Sequence, residues 1–282
     1  MTSAGPDPPR GAGPAFFRRR LIVAGVVVFV IVMGGLIATW AVQRYVTFPQ
    51  PPASAWNPAA RAAAGGEQVW LDVDGDRVES WLLPARDQGA YAPLIIYAHG
   101  NGELIDMRAQ DFASLRDGGY AVLQVEFPGY GRSEGSPSER SVTAALVSAY
   151  DWAVASRRFD PRRISGYGHS LGGGAIAQLA ARRPLSMLVL ESTFVNLEDV
   201  VMHYGVPRWL LLYHFDTGKV LRGYRGPVLL LHGTRDRVFA SSQAQTLATL
   251  AQHATLHLEA CGHNDCPPQW ELVLSFLRRN GV

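Results

Sequence analysis

The stretch Gly166-Tyr167-Gly168-His169-Ser170-Leu171-Gly172-Gly173 joins an apolar-leaning strand to a helix-like run that ends near Arg182. A strand that turns sharply into a helix lifts one side chain to the tip of a sheet. The turn crowds backbone against backbone, so small residues are needed two positions before and two after the lifted side chain. Gly168 and Gly172 meet that need, and Ser170 is the residue lifted. A junction of this kind requires a sheet behind it. The alternative reading, a small residue that merely fits a tight turn, leaves the residues downstream unexplained.

Those residues are an acid and a base on loops that follow strands. Val228 to Leu231 is a short buried-strand run, followed by His232-Gly233-Thr234-Arg235-Asp236. Leu256 to Ala260 is a second strand candidate, followed by Cys261-Gly262-His263. A serine hydroxyl is a weak nucleophile at neutral pH, so a histidine must take its proton during attack. A carboxylate must fix the imidazole tautomer and stabilise the imidazolium. Ser170, Asp236 and His263 are the candidates for the three roles. Glu191 competes as the acid, and Asp236 has a second reading as the cap of a helix near Ser241. His257 competes as the base, but Leu256 and Leu258 flank it in a strand pattern and turn it to the opposite face. His99, His169 and His232 stand at strand ends and read as structural or pocket-lining residues.

From about Gln68 to the C-terminus the chain resembles the α/β-hydrolase-fold serine hydrolases. Four motifs carry the resemblance, in order: His99-Gly100-Asn101-Gly102 after the strand Leu94 to Ala98; Glu126-Phe127-Pro128-Gly129-Tyr130-Gly131-Arg132-Ser133; the turn at Ser170; and the loops of Asp236 and His263. The order Ser, Asp, His belongs to this family and differs from the chymotrypsin and subtilisin orders. Glu191-Ser192-Thr193-Phe194 adds a likeness to its small-lid, membrane-anchored members. The resemblance implies an oxyanion hole made by the backbone N–H groups of Leu171 and Asn101, and chemistry that needs no cofactor. It implies a small-molecule or lipid-like acyl substrate, with a carboxylic ester or thioester as the bond cleaved. A peptidase or amidase, and a binding protein that has lost catalysis, are the rival readings.

The expected architecture is a mostly parallel, eight-stranded sheet with helices on both faces, preceded by one transmembrane helix. Gln68 to Val73 and Arg77 to Leu83 read as an opening strand pair around Asp74-Gly75-Asp76. Strands then alternate with helices near Met107 to Asp117, Glu139 to Arg157, Leu171 to Arg182, Ser241 to Gln252 and Pro268 to Arg279, a pattern that covers both faces of a parallel sheet. A short cap is expected over residues 193–226. Within it, Trp209-Leu210-Leu211-Leu212-Tyr213 reads first as the buried face of a helix, with an apolar lip or a membrane contact as alternatives.

Leu21 to Val42 is an apolar run without a charge. As a helix it is about 33 Å long, enough for a hydrocarbon core of about 30 Å. Arg18, Arg19 and Arg20 precede it and only Arg44 follows closely. The excess of positive charge puts the N-terminus in the cytoplasm and the catalytic domain outside. The expected order is a cytoplasmic tail at 1–20, a membrane helix at 21–43, a linker at 44–66 and the hydrolase domain at 67–282. A cleaved export signal is the alternative, though such signals have shorter apolar cores. A net charge of +2 gives no footprint for nucleic acid. Cys261 and Cys266, the only cysteines, bracket His263. A disulfide, two free thiols and a metal site with His263 all remain open. The last would occupy the imidazole that the triad needs.

Overall fold

Asp74 and Gly75 both take positive φ, 54° and 94°, and make the two-residue turn that suits the right-handed twist of a hairpin. It joins β1 (Glu67–Val73) to β2 (Asp76–Leu83) as an antiparallel pair. The computed structural model describes residues 14–57, 59–86, 91–198 and 208–282. Residues 1–13 of the expected tail and 199–207 of the expected cap, with His203, lie outside them.

Among the described residues, eight strands form one sheet in the order β1-β2-β4-β3-β5-β6-β7-β8. The remaining strands are β3 (Ala92–Ala98), β4 (Ala121–Val125), β5 (Phe159–His169), β6 (Leu188–Glu191), β7 (Val228–Gly233) and β8 (Ala254–Glu259). β2 pairs antiparallel with β4, and every later pair is parallel. All residues of β3 and β4 are buried, as expected of strands covered on both faces. The strand order reverses beside β3, whose neighbours are β4 and β5. Open α/β sheets bind ligands beyond the strand carboxyl ends at such a reversal. Ala98 is in register with Gly168, so the chain leaves β3 and β5 side by side there.

The longer helices follow the sequence signals, except between Met107 and Asp117. α5 (Glu139–Ala155) starts at Ser138, which exchanges hydrogen bonds with Ser141 in a capping box. α9 (Trp270–Arg279) buries Val273, Phe276 and Leu277, one stripe at helical spacing. α6 (Leu171–Ala180), α7 (Thr217–Gly223) and α8 (Ser242–Leu250) follow β5, precede β7 and follow β7 respectively. The single helix expected from Met107 to Asp117 is instead two short ones, α3 (Ile105–Arg108) and α4 (Ala113–Asp117). Arg108 ends the first, where it pairs with Glu103 and Asp111. α2 (Ala59–Ala63) lies in the expected linker.

The chain divides into two units, Met1–Gln43 and Arg44–Val282. α1 (Pro14–Thr47) extends beyond the apolar run at both ends. Its segment Arg18–Thr47 is long and apolar enough to cross a membrane. Leu21, Phe29, Ile31 and Ile37 on it are exposed, as no core helix would leave them. In the second unit the expected linker does not stand free. Phe48 is 2% exposed, Trp56 packs edge-on against Trp81, and the Asn57 N–H donates to Asp106 Oδ2.

Candidate active site

β5 and α6 meet at Ser170, whose φ of 53° lies in the left-handed region. Only close packing holds a non-glycine residue there. A Cβ on Gly168 would strike the Gly172 carbonyl, and one on Gly172 would strike the Ala98 carbonyl. The two glycines of the motif are therefore dictated by backbone contact. The Ser170 N–H donates to Glu191 O at 2.8 Å, and Thr193 Oγ1 donates to Ser170 O at 2.8 Å. Both bonds fix the turn from β6 and the residues after it.

His263 reaches this turn from the loop after β8. Its Nε2 lies 3.0 Å from Ser170 Oγ, and its Nδ1 lies 2.7 Å from Asp236 Oδ2. An ionised carboxylate only accepts, so Nδ1 carries the hydrogen and Nε2 is left to accept from the serine hydroxyl. Asp236 follows β7. Its Oδ1 accepts from the Val238 and Phe239 N–H groups, at 2.8 and 2.9 Å. Burial raises its carboxyl pKa, but hydrogen bonds from His232, His263 and the Phe239 N–H outweigh that and hold it well below the usual carboxylate range. His232 Nε2 lies 2.9 Å from Phe239 O and 3.2 Å from Asp236 Oδ2, both acceptors, so that nitrogen bears its hydrogen. His232 is thus a second partner of Asp236, four residues before it.

The competing candidates are occupied elsewhere. Glu191 Oε2 accepts the Tyr167 hydroxyl at 2.7 Å. His257 pairs loosely with Glu259 on β8. Cys261 and Cys266 are joined in a disulfide with Cα atoms 5.0 Å apart. That excludes free thiols, and it leaves no thiolates for the metal reading. The Trp209 to Tyr213 segment is not the buried face of a helix. A 3-10 turn spans Arg208–Leu210, and Trp209 is 73% exposed.

The loop after β3 brings Asn101 to the same end of the sheet, while Leu171 opens α6, where helix N–H groups lack intrahelical partners. This loop rests on buried charge. His99 Nε2 lies 2.7 Å from Glu126 Oε1, and His99 Nδ1 lies 2.8 Å from Gly100 O. Both are acceptors, so the ring carries two hydrogens. Burial alone would lower its pKa, but the charge and hydrogen bond of Glu126 outweigh that and raise it. The same carboxylate accepts from the Ile105 N–H, so it ties down both ends of the loop. Glu103 accepts from the Gly100 N–H and pairs with Arg108 and His169. Burial opposes its ionisation, but His169, Arg108 and the Gly100 N–H hold its carboxyl far below the usual range. Glu103 and Arg108 escaped the sequence reading. The only local signal was a glutamate three residues after Gly100.

A family model described as serine aminopeptidase, S33, matches residues 90–225. The chain is 31% identical over 258 residues to an uncharacterized protein of Mycobacterium tuberculosis, covering 88% of this chain and 90% of that one. It is 32% identical over 182 residues to the lysophosphatidylserine lipase ABHD12 of Danio rerio, covering 56% of this chain and 47% of that one. The chain thus spans about half the length of that lipase. Its fold is similar to the esterase Pf2001 of Pyrococcus furiosus, with TM-score 0.64 and 19% identity over 82% of this chain and 97% of that one.

Proposed function

The chain belongs to the α/β-hydrolase superfamily of serine hydrolases, and we propose that it is a membrane-anchored enzyme that cleaves carboxylic esters or thioesters of apolar acyl groups. The carrying observation is the hydrogen-bonded line Ser170–His263–Asp236 at the reversal of the sheet. Ser170 Oγ attacks the acyl carbonyl while His263 Nε2 takes its proton. Asp236 holds the imidazole in register and stabilises the imidazolium. The Leu171 and Asn101 N–H groups receive the negative oxygen; losing one such donor costs about 2.7–4 kcal/mol of barrier. Collapse of the intermediate breaks the bond to the leaving group, which takes the proton from His263. Water then attacks the acyl-enzyme with His263 as base, and Ser170 is restored.

Apolar and charged side chains both stand near His263, which suits an ester with an apolar acyl part and a polar leaving part. Phe239 stands 5.3 Å from the His263 ring and 5.1 Å from Phe194. His169 stands 5.6 Å from the same His263 ring and pairs with Glu103, which in turn pairs with Arg108. The name of the lipase relative agrees with a lipid-like substrate. Arg18 to Arg20 before the apolar segment, and a disulfide that an oxidising compartment would preserve, support a catalytic domain outside the cytoplasm. Proteolysis of the domain in intact cells tests that orientation; protection until the membrane is opened would reverse it.

Labelling of isolated membranes with a fluorophosphonate probe tests the mechanism. Wild type should label and Ser170→Ala should not; equal labelling of the two would remove Ser170 from its role. The description of the matching family favours a second reading, hydrolysis of an amide. Turnover of matched amides as fast as esters would select it.

A further inference from the structure

β7 runs through buried valine and leucine from Val228 to Leu231, and the next position, His232, is buried too. Its Nδ1 has no hydrogen-bond partner among the described residues. A buried nitrogen left without a partner is costly, so burial alone does not account for a histidine here. The other ring nitrogen is engaged twice. His232 Nε2 lies 2.9 Å from the Phe239 carbonyl and 3.2 Å from Asp236 Oδ2. Oδ2 is also the oxygen that accepts from His263 Nδ1, at 2.7 Å. Oδ1 accepts from the Val238 and Phe239 N–H groups. Each carboxylate oxygen thus receives two donors, and His232 is the one that shares an oxygen with the candidate base. A hydrogen on His232 Nδ1 would be a buried donor without an acceptor, so the ring donates as the neutral Nε2–H tautomer.

We propose that His232 is a positioning residue of the triad, which fixes the Asp236 carboxylate and limits how tightly it holds the proton on His263. The inference rests on the triad reading above. A carboxylate that gives part of its charge to one donor attracts a second one less. While His232 donates to Oδ2, the imidazolium formed on His263 is stabilised and still gives up its proton to the leaving group. Without His232, the two N–H groups on Oδ1 keep Asp236 in place, and the charge on Oδ2 faces His263 alone. The base then keeps its proton to a higher pH. The acid limb of kcat/KM, which reports the free enzyme, moves up with it. Other titratable groups stand about His263. His169, from the end of β5, has its ring 5.6 Å away, with Glu103 and Arg108 behind it. On the histidine loop itself, Asp265 accepts from the Gly262 N–H. A change confined to His232 leaves all of these in the chain, so the limb is read as a difference between variants. His232 also closes a ring of hydrogen bonds through Phe239, whose carbonyl it meets and whose N–H meets Oδ1. Loop closure alone would alter stability and kcat without displacing the limb.

The test uses the full chain in detergent micelles, with kcat/KM for p-nitrophenyl butanoate measured against pH. His232→Leu removes the donor, and His232→Gln carries an amide N–H toward the Nε2 position. His232→Leu should move the acid limb up by about half a pH unit or more, with a fall in kcat larger than any rise in KM. His232→Gln should keep the limb where wild type has it. Thermal melting shows whether each variant is folded. Where His232→Leu is not, His232→Asn takes its place with the same expectation, because its amide stops short of the Nε2 position. A limb that stays or moves down in a folded variant without the donor overturns the role of His232. An equal upward shift in His232→Gln overturns it as well, since the donor would not be the cause. In both cases a wild type labelled by fluorophosphonate leaves the triad standing. A wild type that neither labels nor cleaves the ester overturns both readings.

Discussion

Two loops flank Ser170, and they are held by opposite means. The loop after β3 is fixed by charge. His99 and Glu126 form a pair with neither side chain exposed, and Glu126 also accepts from Ile105 and Phe127. The loop after β8 is fixed by a covalent bond, with Cys261 and Cys266 clasping the segment that carries His263. The first loop would offer a main-chain N–H, whose position depends on every backbone angle around it. A buried network that fastens both its ends suits that task. The second would offer an imidazole that gains and loses a proton in each cycle. It needs a fixed backbone and a side chain free to change its hydrogen bonds. The difference teaches that rigidity in such a site is matched to the group presented.

The largest expected effect cuts the histidine loop off from its partner. Asp236→Asn should lower kcat by about 10⁴-fold, because the amide can donate to Nδ1 and so favour the wrong tautomer. Steady-state kinetics on a fluorogenic ester measure it, and a loss under tenfold would assign the acid elsewhere. Next, Glu126→Gln should destabilise the fold by about 3–5 kcal/mol, since it leaves a buried imidazolium without its countercharge. Chemical denaturation checks this; a loss below 1 kcal/mol would mean that the first loop is not held by charge.

The pH dependence sharpens the same contrast. The folded-state pKa of His99 is raised above its ordinary 6.5. Its contribution to stability is complete below that value and is lost as pH rises through the raised one. Melting temperature should therefore fall toward alkaline pH, and less steeply in Glu126→Gln. Asp236, with its pKa lowered, contributes above its ordinary 3.8 and loses that contribution as pH falls through the folded value. The smallest effect belongs to the disulfide. Its loop spans only a five-residue separation, so loop-closure entropy predicts a loss of about 2 kcal/mol on reduction. Activity should fall with dithiothreitol while the sheet stays folded. Activity indifferent to reduction would show that the histidine loop needs no clasp.

The centre of the sheet was legible because β3, β6 and β7 are short, mostly apolar runs bounded by turn residues, as in Ala92 to Ala98. Ser170, Asp236 and His263 stood out because each directly follows such a run, so the order along the chain is also the order along the strand ends. What escaped depends on contacts distant in sequence. Glu126 and His99 are 27 positions apart, and each had a local reading that explained it. Arg108 looked like one residue of a longer helix, yet its ion pairs lie where that helix ends. Phe48 lay in a proline- and alanine-rich stretch whose composition reads as a spacer. Its burial is set by Tyr213 and Phe215, more than 160 positions away.

The packing of Phe48–Gln50 has a practical consequence for preparing a soluble form. Composition alone would place the cut at Gly66, just ahead of the first strand. A product trimmed there would lack Phe48, the Pro49 acceptor of Tyr130 and the Gln50 donor to Gly129. It would lose the contacts that tie this stretch to Tyr213 and to the Gly129–Tyr130 turn. The start of the second unit, Arg44, is the cut that keeps these three residues with the body they hold together.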